Sequence, residues 1–166
     1  RAARGLRALG GTVVWIQTAA DGADRDWSFN HQRMLGPARS SRRLAELAEG
    51  AEGYALWHEM EVDAADLKIA KRRYSAFIQG SSALEQELRK RAIGTVLIAG
   101  TATNVCCEST ARDAMMLNFE TVMLADALAA ATPEMHAASL ENCLMYFGDV
   151  MNVDEALARM KSAVAA

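Results

Sequence analysis

The chain has 166 residues, 51% of them hydrophobic, which is enough to bury one core and short for two, so the sequence reads as a single domain over residues 1–166. Its 18 basic and 21 acidic residues give a net charge of -3 with no basic block, a pattern that argues against a nucleic-acid partner. No apolar run approaches the roughly 20 residues of a membrane span, no signal-type segment opens the chain, and three cysteines without a C-x-x-C pair make neither a disulfide framework nor a zinc site, so a soluble protein of the reducing cytoplasm is expected.

In chain order, RAARGLRALGG reads as the back end of a helix stopped at Gly10 and Gly11, so the chain opens in mid-fold. TVVWIQT is short, β-rich and nearly all apolar, as a strand covered on both faces would be. From Ala19 to about Ser41 the pattern turns polar and aromatic, with Trp27, Phe29, His31 and Pro37 in no clean period. That predicts a long loop with some helix, and loops of such length tend to be functional. SRRLAELAEG predicts a turn or two of helix ending at Gly50, Asp66 to Lys71 a strand, and SSALEQELRKRAIG an amphipathic helix capped by Ser81 or Ser82 and stopped at Gly94. TVLIAG then reads as a strand, Thr103 to about Leu117 as a helix, and ETVMLAD as a strand. Pro133 to about Tyr146 reads as a helix, DVMNV as a last short strand, VDEALARMKSAVA as a terminal helix, and the final alanines as a fraying end. Strand and helix alternate throughout, which predicts an α/β fold with a parallel sheet, helices on both faces and right-handed crossovers.

In such a sheet ligands bind beyond the carboxyl ends of the strands, where loops lead into helices. Cys106 falls there, three residues after Thr103, a good N-cap, so its thiol lies in a first helical turn whose N–H groups favour a thiolate. Cys107 is about 100° further round and turns toward packing. By itself a cysteine early in a small-residue helix is more often core than nucleophile, and Cys143, inside ENCLMYF, reads as core. Lys71 ends an apolar strand at the same sheet edge, while Arg72 and Arg73 read as residues that solvate the strand end or meet a partner.

KRRYSAF, then a helix, then TVLIAGTATNVCCESTARDA, then ETVMLADA resembles the isochorismatase-like cysteine hydrolases, in particular the amidohydrolases of ureido compounds such as ureidoacrylate and biuret. The likeness runs from Gly11 onward. It implies a three-layer α/β/α sandwich around a mainly parallel six-stranded sheet, assembled as a homodimer or homotetramer. The nucleophile falls on Cys106 and the catalytic lysine on Lys71. Backbone N–H groups of Ala102 and Cys106 match the oxyanion hole, and a cis peptide is implied between Thr101 and Ala102. Tyr74, Phe77, Trp27 and Asn30 are the candidates for shaping the substrate pocket.

Two departures stand out. Cys107 occupies a position where the family often has Val, a change of little volume. The family's third catalytic group, an Asp ending the first strand in a segment like D-x-Q-x-x-F, has no match, since Asp21, Asp24 and Asp26 follow the next strand along. The expectation is an N-terminally incomplete domain whose Asp-bearing strand lies upstream of Arg1. Relatives on the same fold hold a metal with an Asp and histidines, but His31, His58 and His136 are far apart in sequence, so neither metal nor cofactor is expected. The reaction implied is hydrolysis of a linear amide or ureido C–N bond in a small molecule through an acyl-enzyme. A binding or scaffold subunit that kept the fold and lost the Asp is the rival reading, and hydrolysis of the isochorismate vinyl ether a third.

Overall fold

The computed structural model describes residues 1–164, so the fraying end read at Ala165 and Ala166 lies outside the described residues. Helices and strands alternate as α1 (Ala2–Ala8), β1 (Val14–Thr18), α2 (Ala23–Asp26), α3 (Gly36–Glu46), β2 (Leu67–Lys71), α4 (Leu84–Lys90), β3 (Thr95–Thr101), α5 (Glu108–Met116), β4 (Glu120–Ala129), α6 (Pro133–Tyr146), β5 (Asp149–Met151) and α7 (Val153–Val164). Every described ladder is parallel, β1 beside β2 in one sheet and β3-β4-β5 in another. The architecture is therefore α/β with parallel strands. The chain packs as two compact units, one of Val14–Arg73 and one of Arg1–Val13 with the chain from Tyr74 onward.

The larger unit is built around β4. A parallel strand is covered on both faces, so its residues are apolar in succession and alternate between two cores. Val122 and Leu124 face one way, into a cluster with Val153 and Ala156 of α7 that Ala2, Leu97 and Leu157 complete. Met123 faces the other way, packed with Cys107, Ala111 and Cys143 and joined by Ile98, Leu140 and Phe147. Helices α1 and α7 thus cover one face and α5 and α6 the other, giving three layers within this unit. Helix α6 starts where its sequence says it should. Thr132 is extended, its hydroxyl accepts the Met135 N–H at 3.3 Å, and Pro133 supplies the first-turn residue that needs no donor.

In the smaller unit β1 and β2 pair in register from Val14↔Leu67 to Thr18↔Lys71. Trp15 Nε1 donates to Asp66 Oδ2 at 2.7 Å and Gln17 Nε2 to the Tyr54 carbonyl at 2.9 Å. β1 is half-buried along its length rather than covered on both faces. The stretch from Ala19 to Ser41, expected as a loop, is mostly helical: α2, a π-helical turn over Phe29–Met34, and then α3. Helix α3 begins at Gly36 with Pro37 in its first turn, well before the SRRLAELAEG segment. In the larger unit α4 has Ala83 at its N-cap position, although the Ser82 hydroxyl still accepts the Leu84 N–H at 3.1 Å. Its end is turned by Ala92, at φ 52°, two residues before the expected Gly94.

Gly148 joins α6 to β5, and a Cβ built there would press on the Thr121 carbonyl oxygen, backbone that cannot swing aside. Gly148→Ala is expected to force β5 away from β4 and to cost about 1–3 kcal/mol, the usual penalty of overpacking. Urea denaturation checks this as a lowered midpoint at constant slope, and a variant as stable as its parent would contradict the packing described.

Candidate active site

The chain leaves β3 at Thr101 through a cis peptide to Ala102 and enters a single π-helical turn, Thr103–Cys107, that runs into α5. The Ala102 carbonyl accepts two N–H groups, from Val105 at 3.2 Å and from Cys107 at 3.2 Å. The second bond spans five residues, so the turn is wider than an α-helical one, a form found mostly as single turns and frequently at functional sites. Thr103 does not cap this turn. It lies inside the turn, fully buried, and its hydroxyl pairs with His136 Nδ1 of α6 at 2.9 Å.

The three cysteines have distinct surroundings. Cys106 is half-buried, with its carbonyl held by the Thr110 hydroxyl at 2.6 Å. Cys107 is buried in the cluster around Met123, as its reading as a packing residue requires. Cys143 is fully buried, and burial first, then the neighbouring Glu108 carboxylate, pushes its thiol up to about 11. Glu108 sits two residues past Cys106. Burial alone would raise its pKa, but hydrogen bonds from Ser139, Arg112 and Asn142 and the Arg112 charge together hold it below the ordinary carboxylate range. The Thr110 hydroxyl also accepts the Ala76 N–H at 3.2 Å, tying the loop that contains Tyr74 and Phe77 to α5. Phe77 is buried, its ring 5.2 Å from that of Phe119, and Tyr74 is half-buried.

Lys71 is the last residue of β2 in the smaller unit, 5% exposed, with Nζ donating to the Arg73 carbonyl at 2.8 Å. Burying an ammonium is costly, which makes a lysine so placed a candidate for chemistry rather than for solubility. Arg72 and Arg73, expected to face solvent or a partner, instead bind their own unit. Arg72 donates to the Asp21 carbonyl and to Glu49 Oε1, both at 2.9 Å. Arg73 donates to the Asp26 carbonyl at 2.8 Å and lies 5.5 Å over the Trp27 ring. The cause is that strand β2 ends beside α2, where the carbonyls of Asp21, just before the helix, and of Asp26, its last residue, need donors. Asn30 and His31 are buried on the π-helical turn, and His31 Nδ1 pairs with Ser40 Oγ at 3.0 Å. Burial, with the Arg43 charge, lowers the His31 pKa against the pull of Asp24. Nothing in the sequence pattern singled out the His31–Ser40 pair, because their spacing crosses the π-helical turn.

Of the residues read from the sequence, Thr101, Ala102, Cys106, Tyr74 and Phe77 belong to the larger unit, and Lys71, Trp27 and Asn30 to the smaller. Among the described residues no group of three or more His, Cys, Asp or Glu is gathered where it could hold a metal ion, and no helix is long and apolar enough to cross a membrane.

A parallel α/β unit with a cysteine-bearing turn just past a strand's carboxyl end is the arrangement of the isochorismatase family, and this chain belongs to it: the Isochorismatase domain model matches residues 1–155. Its similar relatives include ureidoacrylate amidohydrolase RutB of Stutzerimonas stutzeri (strain A1501), 36% identical over 163 residues that cover 93% of this chain and 65% of the relative. The RutB of Methylobacterium radiotolerans is 33% identical over 162 residues, 92% of this chain and 62% of the relative. The chain therefore spans a little under two thirds of the length of these relatives. Among solved structures, a cysteine hydrolase from Pseudomonas syringae pv. phaseolicola 1448A superposes with a TM-score of 0.80 at 26% identity, over 98% of this chain and 78% of that one.

The thiol environments give an order of reactivity. A thiol with a pKa of about 11 carries a thiolate fraction near 10⁻⁴ at pH 7. Iodoacetamide at neutral pH, followed by peptide mapping, is expected to label Cys106 first, with Cys107 and Cys143 protected until the protein unfolds. Faster labelling of Cys107 or Cys143 in the folded protein would overturn the assignment.

Proposed function

We propose that this chain is the cysteine-bearing part of an amidohydrolase that cleaves a linear amide or ureido C–N bond in a small molecule. The observation that carries the reading is the placement of Cys106, half-buried on a π-helical turn past the end of β3, while the other two thiols are sealed in the core. The RutB relatives support the ureido class of substrate.

In this reading the Cys106 thiolate attacks the substrate carbonyl carbon, and the oxygen takes up the charge beside the backbone N–H groups of Ala102 and Cys106. The C–N bond then breaks, the amine leaves with a proton, and the acyl group remains as a thioester that water hydrolyses. Lys71 contributes its ammonium to stabilise the thiolate. The proton acceptor in this mechanism is an Asp, which takes the thiol proton and later activates water. Tyr74, Phe77, Trp27 and Asn30 shape the pocket, with the Phe77 ring held by Phe119. The chemistry needs neither metal nor cofactor, and three cysteines that form no disulfide suit a reducing cytoplasm. A homodimer or homotetramer accounts for the exposed Phe29 and Met34 on the π-helical turn of the smaller unit. Light scattering at micromolar concentration is expected to give a mass of two or four chains, and a monomer would contradict that part.

Ammonia release from a panel of ureido compounds and simple amides tests the reaction. Cys106→Ala is expected to abolish turnover without loss of fold, and Lys71→Ala to reduce kcat/KM by roughly 100-fold or more. Cys107→Val, which exchanges one small hydrophobe for another, should stay within about threefold of the parent. Turnover by Cys106→Ala would end the proposal.

A further inference from the structure

Around Cys106 the polar side chains form a pattern that packing does not require. Glu108 Oε2 accepts the Ser139 hydroxyl at 2.7 Å. Oε1 accepts Asn142 Nδ2 at 2.8 Å and the Arg112 guanidinium through Nε at 3.0 Å and Nη2 at 2.6 Å. The Ser139 hydroxyl also lies 3.3 Å from the Thr103 carbonyl, and the Thr103 hydroxyl is the one paired with His136. A hydroxyl has one proton, and the shorter contact to a charged acceptor takes most of it. His136, Ser139 and Asn142 recur every three residues, so they form one face of α6 running beside the turn. The turn is thus fastened to α6 on both sides of Cys106, three residues before it at Thr103 and two after it at Glu108. Arg112 is itself held, its guanidinium carbon 4.0 Å from the Phe147 ring centre.

A π-helical turn is a poor structure left alone, because its widened ring gives weaker backbone contacts than an α-turn. Something outside must hold it. A carboxylate placed two residues from a thiolate also works against the chemistry proposed above, since like charges disfavour each other. Its presence makes sense if the carboxylate fixes geometry and Arg112 offsets its charge.

We propose that Glu108 is a positioning residue: through Ser139, Asn142 and Arg112 its carboxylate locks the Cys106 turn onto α6, and this sets the direction and reactivity of the Cys106 thiol. The inference rests on the reading of Cys106 as nucleophile. Glu108→Ala removes every acceptor of the lock. In Glu108→Gln the amide oxygen keeps the Asn142 and Arg112 donors and the amide nitrogen donates to the Ser139 oxygen, whose proton turns to the Thr103 carbonyl, so the contacts stay and only the charge is lost.

The test is the rate constant for iodoacetamide at Cys106, followed by peptide mapping between pH 6 and 9, in the intact protein and these two variants, with Tm measured alongside. The positioning role predicts that Glu108→Ala slows labelling of Cys106 at pH 7 by tenfold or more, because the displaced thiol loses the N–H groups that favour its thiolate. Glu108→Gln, which keeps the contacts, should stay within threefold of the parent. A role confined to stability would lower Tm and leave the Cys106 rate in the folded Glu108→Ala protein unchanged, and a purely electrostatic role would make both variants react faster. Either result overturns the inference, as does Glu108→Gln as slow as Glu108→Ala. Ammonia release by Cys106→Ala, assayed in parallel, separates the outcomes. A dead Cys106→Ala with an unaltered Glu108→Ala sinks the lock alone, whereas an active Cys106→Ala sinks the reading beneath it.

Discussion

The unit that carries Cys106 depends on one strand being apolar on both faces. Because β4 must be covered twice, Val122 and Leu124 commit α1 and α7 to one side and Met123 commits α5 and α6 to the other. The pocket around Met123 accepts Cys107 and Cys143 and leaves Cys106, one position away on the turn, out of the core. The difference in burial between two chemically identical neighbours follows from the pleat of a strand later in the chain.

Polar groups at the rim of that core follow a second constraint. A charged group carried into a partly buried site is tolerated only when its lone pairs are satisfied, and Glu108 meets this with donors from three residues. With a pKa lowered in the folded state, its contribution to stability is complete above the ordinary carboxylate range and is lost as pH falls through the lowered value. The same carboxylate helps keep the Cys143 thiol protonated, so one charge serves both the order of the turn and the inertness of a neighbouring thiol.

Much of this could be seen in the sequence. Pro133, the run TVLIAG and the run ETVMLAD mark α6, β3 and β4 because their signals are local: a helix-start residue, and short runs of successive apolar residues. Cys106 and Lys71 could be located near strand ends for the same reason, since the strands that lead to them are legible as apolar runs, while their roles come only from the resemblance. What escaped the sequence is what depends on contacts far along the chain. Thr103 looks like a helix cap, but its hydroxyl is taken by a histidine partner on α6 instead of the local bond. The helices between Ala19 and Ser41 show no periodicity because a π-helical turn breaks the 3.6-residue repeat between them. Arg72 and Arg73 read as solvated charges, since nothing local says that the carbonyls on either side of α2 lie within their reach.

The larger unit is discontinuous in sequence, and this bears on how it is made. Residues Val14–Arg73 form a unit of contiguous chain, complete once its last residue has left the ribosome. Helix α1 is made earlier but has its place against α7, where Gly5 leaves room for Leu157 and the Arg1 guanidinium pairs with Asp126 and Asp154. It must wait through more than a hundred residues of synthesis for those partners. At translation rates of about 5–20 residues per second that interval is of the order of ten seconds. The closing contacts of the unit are its longest in sequence, the kind whose loop-closure cost makes folding slow.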